Sequence, residues 1–94
     1  FSHFYTFYLS EHSDPRNRSL HFFGCLAVIV IILYSLLAQV WLALVLVPLA
    51  GYGLAWIGHF FVEKNKPATF KYPIYSLLAD WKMFLEIITG RIKL

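Results

Sequence analysis

The chain has 94 residues, room for one domain. Apolar residues make up 60% of it and charged residues only 14%, against ~45–50% and ~25% in soluble domains, and a soluble globule this small cannot hide so much apolar side chain. The net charge of +3 comes with no RNA- or DNA-binding pattern, which argues against a nucleic-acid partner, and the single cysteine, Cys25, excludes a disulfide framework and a cysteine-based zinc site.

In chain order, residues 1–12 are crowded with aromatics (Phe1, Phe4, Tyr5, Phe7 and Tyr8) and read as a short interfacial helix. Asp14 then offers a helix cap, with Pro15 at the first helical position. From Ser19 to Val62 there is no Asp, Glu, Lys or Arg, a run of 44 residues, about twice the ~20 that cross a bilayer once. Two crossings follow, over 15–37 and 41–62. The turn between them falls at Ala38-Gln39-Val40-Trp41, where Gln39 is the one strongly polar side chain near the midpoint and Trp41 suits a membrane–water interface.

Pro48 is expected to kink the second crossing by removing a backbone hydrogen bond to Leu44. Gly51, Ala55 and Gly58 form a small-residue stripe that admits close approach of another helix. It packs either on Gly24 and Ala27 within the hairpin or between subunits of a homo-oligomer. Residues 73–90 repeat Ile74, Leu77, Leu78, Trp81, Phe84, Leu85 and Ile88 at helical spacing, an amphipathic surface helix or a third bundle helix. The expected fold is an all-α integral membrane protein, one membrane domain over residues 1–94, with a two-pass transmembrane helical hairpin and flanking amphipathic helices. Arg16 and Arg18 before the first crossing, and Lys64, Lys66 and Lys71 after the second, place both hairpin ends in the cytoplasm. The membrane would be the endoplasmic reticulum in a eukaryote and the inner membrane in a bacterium.

His21 and His59 lie equally far from residue 40, on either side of the turn. In an antiparallel hairpin they should therefore sit level, near the cytoplasmic ends of adjacent helices. Glu63 lies one helical turn beyond His59, and Asn17 one turn before His21, each on its neighbour's face. His12, across the Ser13-Asp14-Pro15 break, can fold over the same end. His3 has nothing to fix it and reads as interfacial. Imidazoles with a carboxylate and open positions suit non-haem iron oxygenases, and ionisable groups within a membrane bundle are costly and mostly functional. Two level histidines would also ligate a b-type haem, leaving His12 and Glu63 without a role. Arg16 and Arg18 mark topology and can also bind a carboxylate or lipid phosphate.

Three segments carry a family resemblance: His12-Ser-Asp-Pro-Arg-Asn17-Arg18-Ser-Leu-His21, Gly58-His59-Phe-Phe-Val-Glu63-Lys64-Asn-Lys-Pro67-Ala68, and Tyr72-Pro73 through Ser76-Leu77, Asp80 and Met83. Together they resemble the small membrane proteins known as 2-hydroxy fatty acid dioxygenases, over nearly the whole chain. The resemblance implies an iron(II)-dependent enzyme of fatty acid α-oxidation, which uses O₂ to shorten a 2-hydroxy fatty acid by one carbon. It also implies His12, His21 and His59 as catalytic metal ligands, joined by Glu63. Arg16, Arg18 and Asn17 are the expected substrate-binding residues, the acyl tail lying among membrane lipid. Two alternatives of other classes remain: a non-enzymatic membrane haem or metal carrier, and a small scaffold or assembly protein with interfacial histidines.

Overall fold

The computed structural model describes residues 1–67 and 70–93, so that Ala68, the last residue of the second motif, lies outside it. Among the described residues every regular element is helical. Helix α1 spans Ser2–Ser10 and α2 Pro15–Ala38. After a turn at Gln39 and Val40, Trp41–Val45 winds as a 3₁₀-helix, α3 spans Leu46–Ile57, Gly58–Glu63 is a π-helical segment, and α4 spans Pro73–Ile88.

The start of α2 is set locally: the Asp14 side chain accepts the Arg16 backbone N–H at 2.8 Å, and Pro15 occupies the first turn. The helix ends where Gln39 adopts the left-handed conformation, φ 55°. Its 24 residues reach ~36 Å at ~1.5 Å per residue, beyond the ~30 Å hydrocarbon core of a bilayer. The Trp41–Glu63 segment, 23 residues long, is likewise long and apolar enough to span. Their outward side chains, such as Leu33, Leu37, Leu42, Val45 and Leu49, are exposed and apolar.

The Trp41–Glu63 helix changes from 3₁₀ to α winding at Leu46, two residues before Pro48. The small residues act within the hairpin. A Cβ on Gly24 would meet the Gly51 and Ala50 carbonyl oxygens at 3.5 and 3.6 Å, one on Gly51 would meet Val28 Cγ2 at 3.5 Å, and one on Gly58 would collide with Asn17. Backbones this close are possible only where side chains are missing.

Helix α4 is a packed member of the bundle. Ala79 and Met83 close a core with Tyr5 and Tyr8 of α1, while Phe84 stacks on Phe22 of α2 with ring centroids 4.9 Å apart. Together α1 and α4 cover the end of the hairpin where the polar side chains gather.

Candidate metal centre

Three imidazoles meet under α1 and α4. His12, His21 and His59 are 1%, 5% and 1% exposed, and each offers one ring nitrogen to a set lying within 4.8 Å of one another. The rings are nearly perpendicular in every pair, with centroids 4.3 Å (His12–His21), 4.4 Å (His12–His59) and 5.0 Å (His21–His59) apart. His21 and His59 are level across the hairpin, as their equal distance from the turn requires.

Each ring is oriented through Nδ1. His12 Nδ1 lies 2.6 Å from the Tyr8 carbonyl oxygen, which can only accept. His21 Nδ1 lies 3.0 Å from Asp80 Oδ1, an oxygen that also accepts the Tyr8 hydroxyl. His59 Nδ1 lies 2.7 Å from Asn65 Oδ1, and the Asn65 amide N–H groups are committed to the carbonyl and carboxylate of Glu11. All three Nδ1 atoms therefore donate, which leaves each neutral imidazole its lone pair on Nε2. His12 Nε2 and His21 Nε2 face each other at 3.1 Å. Two lone pairs at that distance repel unless something positive lies between them. Burial, reinforced by His21, holds the His12 pKa down at about 2, which disfavours a proton. A metal ion suits the site better: 3.1 Å is less than twice the ~2.0–2.1 Å of ordinary metal–imidazole bonds. Nδ1–H groups held by a carbonyl, a carboxylate and a carboxamide are the outer shell that metal-bound histidines use.

The chamber among these rings has a volume of about 10 Å³, about one water or ion. Tyr8, Ala55, Pro67, Ser76 and Asp80 complete its wall. Ser76 is 2% exposed, and its Oγ has no hydrogen-bond partner among the described residues. Burial and the Asp80 carboxylate hold the Tyr8 phenol well above its ordinary pKa, so it keeps its proton.

Local chain geometry explains how the rings arrive. Arg18 Nη1 donates to the His12 and Ser13 carbonyls at 3.1 and 2.9 Å, tying the α1–α2 turn down onto α2. The π segment closes with the Asn65 N–H donating to the His59 carbonyl at 2.9 Å, after Lys64 turns left-handed at φ 58°. This reversal brings the Asn65 carboxamide back to the His59 ring.

Other residues expected at the site lie elsewhere. Glu63 is not among the residues that converge with the imidazoles. Its carboxylate accepts the Asp14 backbone N–H at 2.6 Å, the Ser13 hydroxyl at 3.4 Å and Asn17 Nδ2 at 3.5 Å. Asn17 is fully buried against Gly58. Arg16 is exposed and paired with Asp14 at 2.8 Å, while Arg18 spends its guanidinium on carbonyls, including that of Lys93 at 3.0 Å. None of the three substrate-binding candidates lines the chamber. Conversely, Asp80 and Ser76, which line the chamber, and Asn65 and Glu11, which hold His59 in place, are residues the helical pattern alone does not assign. A signal existed for the first two, because Ser76 and Asp80 are polar, four residues apart on α4, and both belong to the third motif.

No curated protein and no solved structure matches the chain. A family model described as 2-hydroxy-palmitic acid dioxygenase Mpo1-like matches residues 1–92, a span that takes in all three histidines and their Nδ1 partners. The chain belongs to the 2-hydroxy-palmitic acid dioxygenase Mpo1-like family.

Proposed function

We propose that this protein is a membrane-embedded, iron(II)-dependent dioxygenase that shortens 2-hydroxy fatty acids by one carbon. The observation that carries this reading is the set of three buried imidazoles whose Nε2 lone pairs converge on a chamber of about 10 Å³, in a chain of this family. His12, His21 and His59 would hold the metal through Nε2. The donor set is three imidazoles, with the Asp80 carboxylate spent on His21 and Tyr8 rather than offered as a ligand. Iron(II), when bound there, supplies the activation of O₂ that no side chain in the chamber can provide.

The chain's own groups account for binding and order. Asp80, Asn65 and the Tyr8 carbonyl keep the three rings in one tautomer and orientation. The unpartnered Ser76 hydroxyl is available to the hydroxyl or carboxylate of the acid. Tyr8, protonated and hydrogen-bonded to Asp80, lines the chamber and holds that carboxylate against His21. Burial keeps bulk water away from the reacting carbons. With O₂ as the sole oxidant, the atoms balance when the acid and O₂ give the acid one carbon shorter, carbon dioxide and water.

The two spanning-length helices and their apolar exterior support insertion in a membrane, the hairpin placing both ends on one side. Arg16, Lys64, Lys66 and Lys71 at those ends point to the cytoplasmic face, of the endoplasmic reticulum in a eukaryote or the inner membrane in a bacterium. The test is turnover. Protein purified in detergent, loaded with iron(II) and given 2-hydroxypalmitate under air should release the odd-chain acid. An iron-loaded sample that leaves the substrate intact would refute the assigned reaction.

A further inference from the structure

Helix α4 packs on α1 and α2 but hardly on α3, and the gap it leaves is an apolar cavity of about 350 Å³. Val28 and Ile32 of α2, Val47 and Pro48 at the start of α3, and Leu77 and Trp81 of α4 line it. Besides Cys25 and Tyr52, its ionisable residues are His21 and Asp80, at one end. These two residues also line the metal chamber, so the cavity and the chamber share a wall.

We infer that this cavity is the acyl-chain site, holding the tail of the 2-hydroxy acid with its head at His21 and its far end among Ile32, Val47 and Pro48. The inference rests on the proposed function for the identity of the head group. Three features favour a single alkyl chain. The size lies at the low end of the ~300–1,000 Å³ typical of small-molecule sites. His21 and Ile32 are eleven residues apart on α2, so the slot runs ~16 Å along the helix. One leaflet of a bilayer, which a single fatty acyl chain spans, is about half the ~30 Å hydrocarbon core. The slot is therefore as deep as a leaflet, and an acid can enter sideways with its tail still in an apolar medium. Continuity with the chamber supplies polarity at one end and none at the other, the order a fatty acid requires. Ile32, Val47 and Pro48 then limit chain length.

The test labels the wild-type protein, in phosphatidylcholine vesicles, with 2-hydroxypalmitate carrying a diazirine at its last carbon. Labelled peptides should contain Ile32, Val47 or Pro48, and an excess of unlabelled 2-hydroxypalmitate should remove the label. Label spread over the outward residues Leu33, Leu37 and Leu49 would overturn the site, as would failure of the unlabelled acid to compete, which would mean ordinary bilayer lipid occupies the slot. Because labelling reads binding rather than turnover, it can succeed where the proposed reaction fails, and fail where that reaction succeeds. A second measurement uses Ile32→Trp and Val47→Trp. Each should lower kcat/KM for 2-hydroxypalmitate at least tenfold relative to kcat/KM for 2-hydroxyoctanoate. An equal loss for both acids, or for neither, would refute the length-setting role.

Discussion

Gly58 is where the hairpin's packing and the metal chamber meet, and Gly58→Ala puts a number on that connection. The added Cβ would lie 2.9 Å from Asn17 Cγ, collide with its Oδ1 and press Leu20 Cδ1 at 3.4 Å. Asn17 is fully buried and cannot swing into solvent, so α2 and the π segment must separate. Overpacking of this kind costs about 1–3 kcal/mol, and at ~4–8 °C per kcal/mol for a chain of this size the midpoint should fall by at least about 4 °C. The displaced segment carries His59, so metal content should fall as well. Asn17 itself contributes little polar energy: its one side-chain hydrogen bond spans 3.5 Å to Glu63, and its Oδ1 has no partner among the described residues. Asn17→Ala should therefore be mild alone and should rescue Gly58→Ala, giving a coupling of roughly 1–3 kcal/mol in a double-mutant cycle. Thermal unfolding in detergent, with metal analysis of the same samples, provides the four corners. A Gly58→Ala protein as stable as the wild type, or one that Asn17→Ala fails to restore, would refute the packing argument.

Three further outcomes test the site. Asp80→Asn keeps the shape but removes the charge behind His21 Nδ1, and should weaken iron binding about 10- to 100-fold in a chelator competition; unchanged affinity would deny Asp80 its orienting role. Ser76→Ala should retain iron yet raise KM for 2-hydroxypalmitate about three- to tenfold, the worth of one hydrogen bond, and an unaltered KM would leave the Ser76 hydroxyl without a function. The third concerns pH. The His12 pKa is about 2 in the folded chain against 6.5 ordinarily, so below pH 6.5 the unfolded chain binds a proton that the folded one does not. The metal-free protein should keep its full stability above that pH and lose up to ~1.4 kcal/mol per unit as the pH falls. His12→Asn should flatten the slope between pH 6.5 and 5; the same slope in both proteins would place the titration elsewhere.

Much of the frame is legible in the sequence because it depends on one-dimensional quantities. The uncharged run from Ser19 to Val62 sets the hairpin, and His21 and His59 fall level because both are counted from the same turn. His12 is reachable because the break at Ser13-Asp14-Pro15 frees its segment to fold back. What the sequence hides depends on rotation about a helix axis or on contacts between distant segments. Glu63 looks like a partner of His59 by spacing alone, but the Asp14 backbone N–H and the Ser13 hydroxyl, some fifty residues away in the chain, take its carboxylate. The change from 3₁₀ to α winding at Leu46, just before Pro48, is likewise something periodicity does not report. Asn65 and Asp80 orient their histidines across six and fifty-nine residues, and no periodicity within one element reports such pairs.

The central claim is that His12, His21 and His59 hold one iron through Nε2. Its most direct measurement is iron stoichiometry after anaerobic loading of the wild type and of His12→Ala, His21→Ala and His59→Ala. The arrangement predicts one iron per wild-type chain and loss of that iron in each variant whose helical content is unchanged. A wild-type chain that binds none, or a folded single variant that keeps a full equivalent, would contradict it.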